Sequence, residues 1–169
     1  MKITDYIKKN FLYLDGGMGT LLQGRGLRPG ELPERWNITH PEEITAIHKA
    51  YYDSGSNVVN TNTFGANILK FSPEDLDKIV KAAIENARAA AEESVGEQEK
   101  FVALDIGPTG KMLAPLGDLD FEDAVEAFAK VVRIGAKGAD LVLIETMNDA
   151  YETKAAVLAA KENCNLPIF

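Results

Sequence analysis

The sequence predicts an α/β protein built on a parallel sheet, and three observations carry that prediction. Short strand-like runs alternate with helical patterns along the whole chain. The runs are apolar without polar alternation, as strands covered on both faces are. Polar residues stand directly after the runs, where ligands bind in parallel α/β folds. Crossovers between parallel strands are almost always right-handed, which leaves two architectures. One is an open doubly wound sheet of flavodoxin type. The other is a (β/α)8 barrel, which typically needs about 250 residues and would be half present in 169.

Four runs read as strands, Phe11–Leu14, Asn57–Thr61, Phe101–Leu104 and Leu141–Ile144, and a fifth begins at Leu166–Phe169. Between the first two, Pro41 with Glu42 and Glu43 opens a helix after His40, with Ile44, Ile47 and Tyr51 as its apolar stripe and Gly55 at its end. Ser72-Pro73-Glu74-Asp75 starts the next helix with a capping serine, a proline and acidic residues facing the positive helix end. Its stripe is Leu76, Ile79, Val80, Ala83, Ile84 and Ala87, and it runs to about Ser94. Asp120 is expected to cap a third helix, with Ala124, Val125, Phe128 and Val132 inward and Gly135 near its end. A fourth spans about Asp149 to Lys161. No composition shift marks a domain boundary, so residues 1–169 read as one unit.

Composition narrows the function. The 26 acidic against 18 basic residues give a net charge of -8, which repels nucleic acid and anionic membranes. No run is long and apolar enough for a membrane span or resembles a signal peptide, so a cytoplasmic protein is expected. One cysteine, Cys164, excludes an intrachain disulfide and a multi-cysteine zinc site within these residues. It lies between the fourth helix and the fifth strand, where an inert thiol is expected. His40 and His48 lie eight apart on one helix, which is not metal-ligand spacing. Trp36 is expected to pack against a barrel end.

The chemistry collects at the strand ends. Asp15 follows the first run, Asn60, Asn62 and Thr63 end or follow the second, Asp105 the third, and Glu145 the fourth. Three carboxylates and amides around one opening suit an amine-bearing small molecule. The glycine turn Gly16-Gly17 lets backbone N–H groups approach a ligand carboxylate. An amino acid would use both. Phosphate motifs fail: Gly110-Lys111 is followed by Met112 where a P-loop needs Ser or Thr, and Gly17-Met18-Gly19 lacks the third glycine, at Leu22.

Four segments together resemble the homocysteine S-methyltransferases, most closely the N-terminal homocysteine-binding module of cobalamin-dependent methionine synthases. They are Leu14–Thr20 (LDGGMGT), Thr61–Ala66 (TNTFGA), Asp105–Gly110 (DIGPTG) and Glu145–Asp149 (ETMND). The resemblance implies a (β/α)8 barrel, of which this chain holds about the first four βα units and the start of strand five. It implies that Glu145 holds the homocysteine ammonium and Asp15 lies at the base of the same pocket. Gly16, Gly17, Asn62, Thr63 and Phe64 would complete the binding face, with Asp105 orienting the loops. It further implies zinc held by three cysteines after the sixth and eighth strands, absent here, so the isolated chain is expected to be catalytically incomplete. Methylcobalamin is the implied methyl donor. The implied partners are the other half-barrel and cobalamin or folate modules. Open sheet edges would also favour a homodimer.

Overall fold

The computed structural model describes residues 1–169. Three strands form the sheet, β1 (Val58–Asn60), β2 (Phe101–Ile106) and β3 (Leu141–Ile144), all parallel and in the order β1-β2-β3. The first and fifth predicted strands are each reduced to a single bridge, Leu14 to Val58 and Ile168 to Val142. Backbone bonds still dock them, from Asp15 N to Val58 O (3.0 Å) and from Ile144 N to Phe169 O (2.9 Å). The first does not extend because the Asn57 side chain takes the Tyr13 N–H at 3.1 Å; its outer side is open, with Phe11 84% exposed and Tyr13 61%. Spatial order therefore follows chain order. The doubly wound alternative would place the first strand between the second and third, but β1 pairs directly with β2.

The main helices are those expected: α4 (Pro41–Asp53), α5 (Pro73–Glu93), α6 (Phe121–Gly135) and α7 (Ala150–Asn163). Ser72 Oγ accepts from Asp75 N at 3.1 Å, as an N-cap should. Asp120 occupies the cap position of α6, but its side chain makes no capping bond. Asp149 does, accepting from Tyr151 N at 2.8 Å. Gly55 leaves α4 at a φ of +103°, a conformation glycine adopts without a Cβ penalty.

The polar-rich N-terminal stretch adds short helices that the periodicity did not reveal: α1 (Ile3–Tyr6), α2 (Gly19–Gly24), a 3₁₀ turn (Pro33–Arg35) and α3 (Trp36–Thr39). Each is too short to show an amphipathic repeat.

Strand periodicity sorts the core into two layers. Val59, Val102, Leu104, Ile106 and Val142 face the stripes of α5, α6 and α7 in the main cluster. Val58, Phe101, Ala103, Leu141 and Leu143 face the other way and are closed off by Ile3 of α1. On that inner side of β2 and β3 the next alternate positions are Asp105 and Glu145. The apolar layer thus gives way to an acidic one at the C-terminal end of the sheet.

Trp36 packs away from the sheet with Leu22, Leu27, Ile44 and Ile47, and stacks on His40 with ring centres 4.0 Å apart. The stripe of α4 turns one residue further than expected, burying His48 and Tyr52 and leaving Tyr51 half-buried. His48 is fully buried with neither ring nitrogen hydrogen-bonded, and burial holds it neutral, with a pKa lowered to about 4. No helix is long and apolar enough to cross a membrane.

Candidate functional site

A cavity of about 440 Å³ opens at the C-terminal ends of the strands. Of the residues expected at a site, Asp15, Gly16, Gly17, Asn60, Asn62, Phe64, Asp105 and Glu145 line it. Thr63 does not; it is buried behind the wall, where its Oγ1 donates to Asp105 O at 2.8 Å. Thr61 also faces the cavity, as do Met18, Gly19, Pro33 and Glu34.

Local hydrogen bonds hold each wall. Asp15 leaves the first bridge and turns back, its Oδ2 accepting from Asn60 N at 2.9 Å. The glycine turn that follows is held by Tyr51, whose hydroxyl donates to Gly17 O at 3.1 Å. The backbone N–H groups of Gly16, Gly17 and Met18 enter no backbone hydrogen bond, so they remain free to donate. The loop after β1 is tied down by side chains. Asn37 Nδ2 donates to Asn62 O and Asn62 Nδ2 to Pro33 O, both at 2.8 Å. Phe64 reaches the cavity across Gly107, where a Cβ would meet the ring at 2.6 Å.

Asp105 was expected to orient these loops, and its backbone is hydrogen-bonded to the loop after β1. Its N–H donates to Thr61 Oγ1 at 3.2 Å and its carbonyl accepts from Thr63. The carboxyl group instead faces the cavity, with Oδ1 buried and unpartnered. Glu145 continues β3, its N–H donating to Ile106 O at 3.1 Å. Thr146 then takes a left-handed φ of +58°, a strained state for a β-branched residue that turns the chain sharply after the glutamate.

The electrostatics are one-sided. Four acidic side chains, Asp15, Glu34, Asp105 and Glu145, line the cavity and no Lys or Arg does. Burial pushes the Asp15 carboxyl up to about 7, opposed by the Asn60 N–H and reinforced by the charge of Glu145. Burial also raises Asp105 well above the carboxylate range, and Glu145, Asp15 and Glu34 add to the shift. Asp15 Oδ1, Glu34 Oε2, Asn60 Oδ1 and Asp105 Oδ1 are buried acceptors without a donor. Such groups are costly unless something supplies the donors.

A compact metal ion does not fit: no three His, Cys, Asp or Glu side chains converge closely enough to hold one. Nor is there a donor set for a zinc–thiolate centre. The one thiol, Cys164, follows α7 at the opposite end of the sheet and donates to Ala160 O at 3.3 Å. The wide ring of acceptors suits a polyatomic cation such as an ammonium group.

Comparison with known proteins identifies the family. The family model for homocysteine S-methyltransferase matches residues 12–169. The chain belongs to that family. Similar sequences include methionine synthase from Mycobacterium leprae, 32% identical over 159 residues, and methionine synthase from Mycobacterium tuberculosis, 30% identical over 172. These matches cover 87% and 94% of this chain but only 13% and 14% of the two synthases. Among solved structures, the metallated form of the homocysteine methyltransferase MmuM from Escherichia coli superposes with a TM-score of 0.81 at 22% identity. That superposition covers 96% of this family member and 63% of MmuM. The fold is thus shared, and this chain spans less than two thirds of the length of the proteins it resembles.

Proposed function

We propose that residues 1–169 are the N-terminal half of a homocysteine-binding (β/α)8 barrel domain, and that the cavity binds homocysteine as the acceptor in a methyl transfer. The observation that carries this reading is the pairing of buried acceptors lacking donors with the free N–H groups of Gly16, Gly17 and Met18 at one rim. A zwitterionic amino acid satisfies both. In this reading Glu145 and Asp15 take the ammonium, the glycine turn takes the carboxylate, and Asn62 and Phe64 form the wall beside the side chain. Family membership supports homocysteine as that amino acid.

These residues bind and orient; they do not activate the thiol. Free thiols have pKa values of about 8.5 and are mostly protonated at neutral pH. In this reading the activating zinc and the methyl donor are supplied by groups other than the 169 residues described. The likeness to methionine synthases supports methylcobalamin as that donor. Calorimetric titration with L-homocysteine is the test. Wild-type chain binds, and Glu145→Gln weakens binding about tenfold or more, the usual loss for a charge-assisted hydrogen bond. No binding by the folded wild-type chain overturns the proposal. Methionine formation by this chain alone, above background, would overturn the division of labour.

A second reading rests on the exposed aromatics of the first strand. Phe11 and Tyr13 stand on an unpaired sheet edge, which supports association with a second copy or with a complementary half-barrel.

A further inference from the structure

We infer that Glu34 is a ligand-contacting residue that recognises the ammonium group of the bound amino acid. This inference rests on the reading of the cavity as an amino acid site and adds to it a residue from outside the strand ends. Glu34 is 5% exposed and lines the cavity. Oε1 accepts from Gly65 N at 2.7 Å. Oε2 is buried without any donor. Lys70 Nζ lies beside the same face of Gly65 as Glu34 Oε1, but no ion pair within 4 Å joins the two. Every other Lys or Arg that pairs within 4 Å does so with a different acid. The unused oxygen is therefore enclosed, on a residue that lines the cavity, with its donor missing.

Its position is held from three sides. Pro33 O accepts from Asn62 Nδ2 at 2.8 Å. Arg35 pairs with Asp75 at 3.3 Å and lies over the Phe71 ring, 5.4 Å from its centre. Trp36, two residues on, is buried in the cluster between α2 and α4. A carboxyl group fixed this way before the ligand arrives loses little side-chain entropy on binding. Its charge also acts on Asp105, with which it shares the cavity lining. Simple structural support for Gly65 would need only one oxygen. The second points to a ligand that donates, and an ammonium donates three bonds.

The test is Glu34→Gln, which keeps an oxygen for Gly65 N and removes the buried charge, so the fold is retained. Calorimetry compares L-homocysteine with 4-mercaptobutanoate, which lacks the amine. Wild-type chain favours homocysteine by about tenfold or more, and Glu34→Gln narrows that preference to about threefold or less. A variant-free readout is the ¹³C carboxyl resonance of Glu34 in labelled wild-type chain. It shifts on titration with homocysteine and stays still with 4-mercaptobutanoate. An unchanged preference in Glu34→Gln, or a Glu34 resonance that ignores homocysteine, overturns this inference and leaves the homocysteine reading standing. Failure of wild-type chain to bind either compound overturns both.

Discussion

Asp15 shows how one residue couples binding to pH. Its carboxyl is raised to about 7 in the folded chain, chiefly by burial, from an ordinary value of 3.8. An ammonium ligand needs the ionised form. Affinity for homocysteine is therefore expected to rise as pH increases from about 5 to 7, by up to about tenfold per pH unit, and to level off above. Titrations at several pH values check this, and a flat profile would remove Asp15 from the site. Stability runs the other way. Because the folded pKa is the higher, the contribution of Asp15 is fully present below 3.8 and lost as pH rises through about 7. Asp15→Asn keeps an acceptor for Asn60 N–H while removing the buried charge. At pH 8 it is expected to stabilise the unliganded chain by about 1–3 kcal/mol, discounted for partial exposure, while abolishing binding. Denaturant unfolding of the two proteins measures the difference.

At the level of elements, the helix starts separate what spacing predicts from what geometry permits. Ser72 and Asp120 stand in equivalent sequence contexts, each one residue before a helix with acidic residues in its first turn. Only Ser72 caps with its side chain. Ser72→Ala is expected to cost about 1 kcal/mol and Asp120→Ala about half that or less, a contrast that thermal melts resolve. Equal losses would mean that the cap bond adds nothing. The apolar stripes of α5 and α6 were legible because a long helix repeats its pattern often enough to fix its phase. All six expected stripe residues of α5 are buried. On the shorter α4 the phase slipped by one residue, from Tyr51 to Tyr52. The Tyr52 hydroxyl donates to Phe101 O at 2.8 Å, a tertiary contact that no local spacing reveals.

Across the molecule, consecutive strands pair side by side, and the sheet ends in two weakly held edges. Its inner face is apolar toward α1 and acidic toward the cavity, so binding and stability occupy opposite ends of the same strands. The first edge carries exposed Phe11, Tyr13 and Leu14. Self-association in the micromolar range is expected, and Phe11→Lys with Tyr13→Lys should suppress it, since charges on an edge strand oppose pairing. Sedimentation velocity over a wide concentration range decides. A monomer throughout would remove the assembly reading without touching the cavity.

The sequence by itself determined the α/β class, the four long helices and eight of the cavity residues, seven of them through a local rule and Phe64 through the family resemblance. Periodicity sets a helix face, and a strand end in a parallel sheet sets the ligand side. Tertiary structure alone decided the rest. It showed that β1 pairs with β2, which separates a barrel-like order from a doubly wound one. It turned Thr63 behind the wall and the Asp105 carboxyl into the cavity. It also brought Glu34 to Gly65 across 31 residues of chain. Glu34 sits in a 3₁₀ turn with no periodic signal and no strand before it, so only the packing of Trp36 and the bonds to Asn62 and Gly65 could place it.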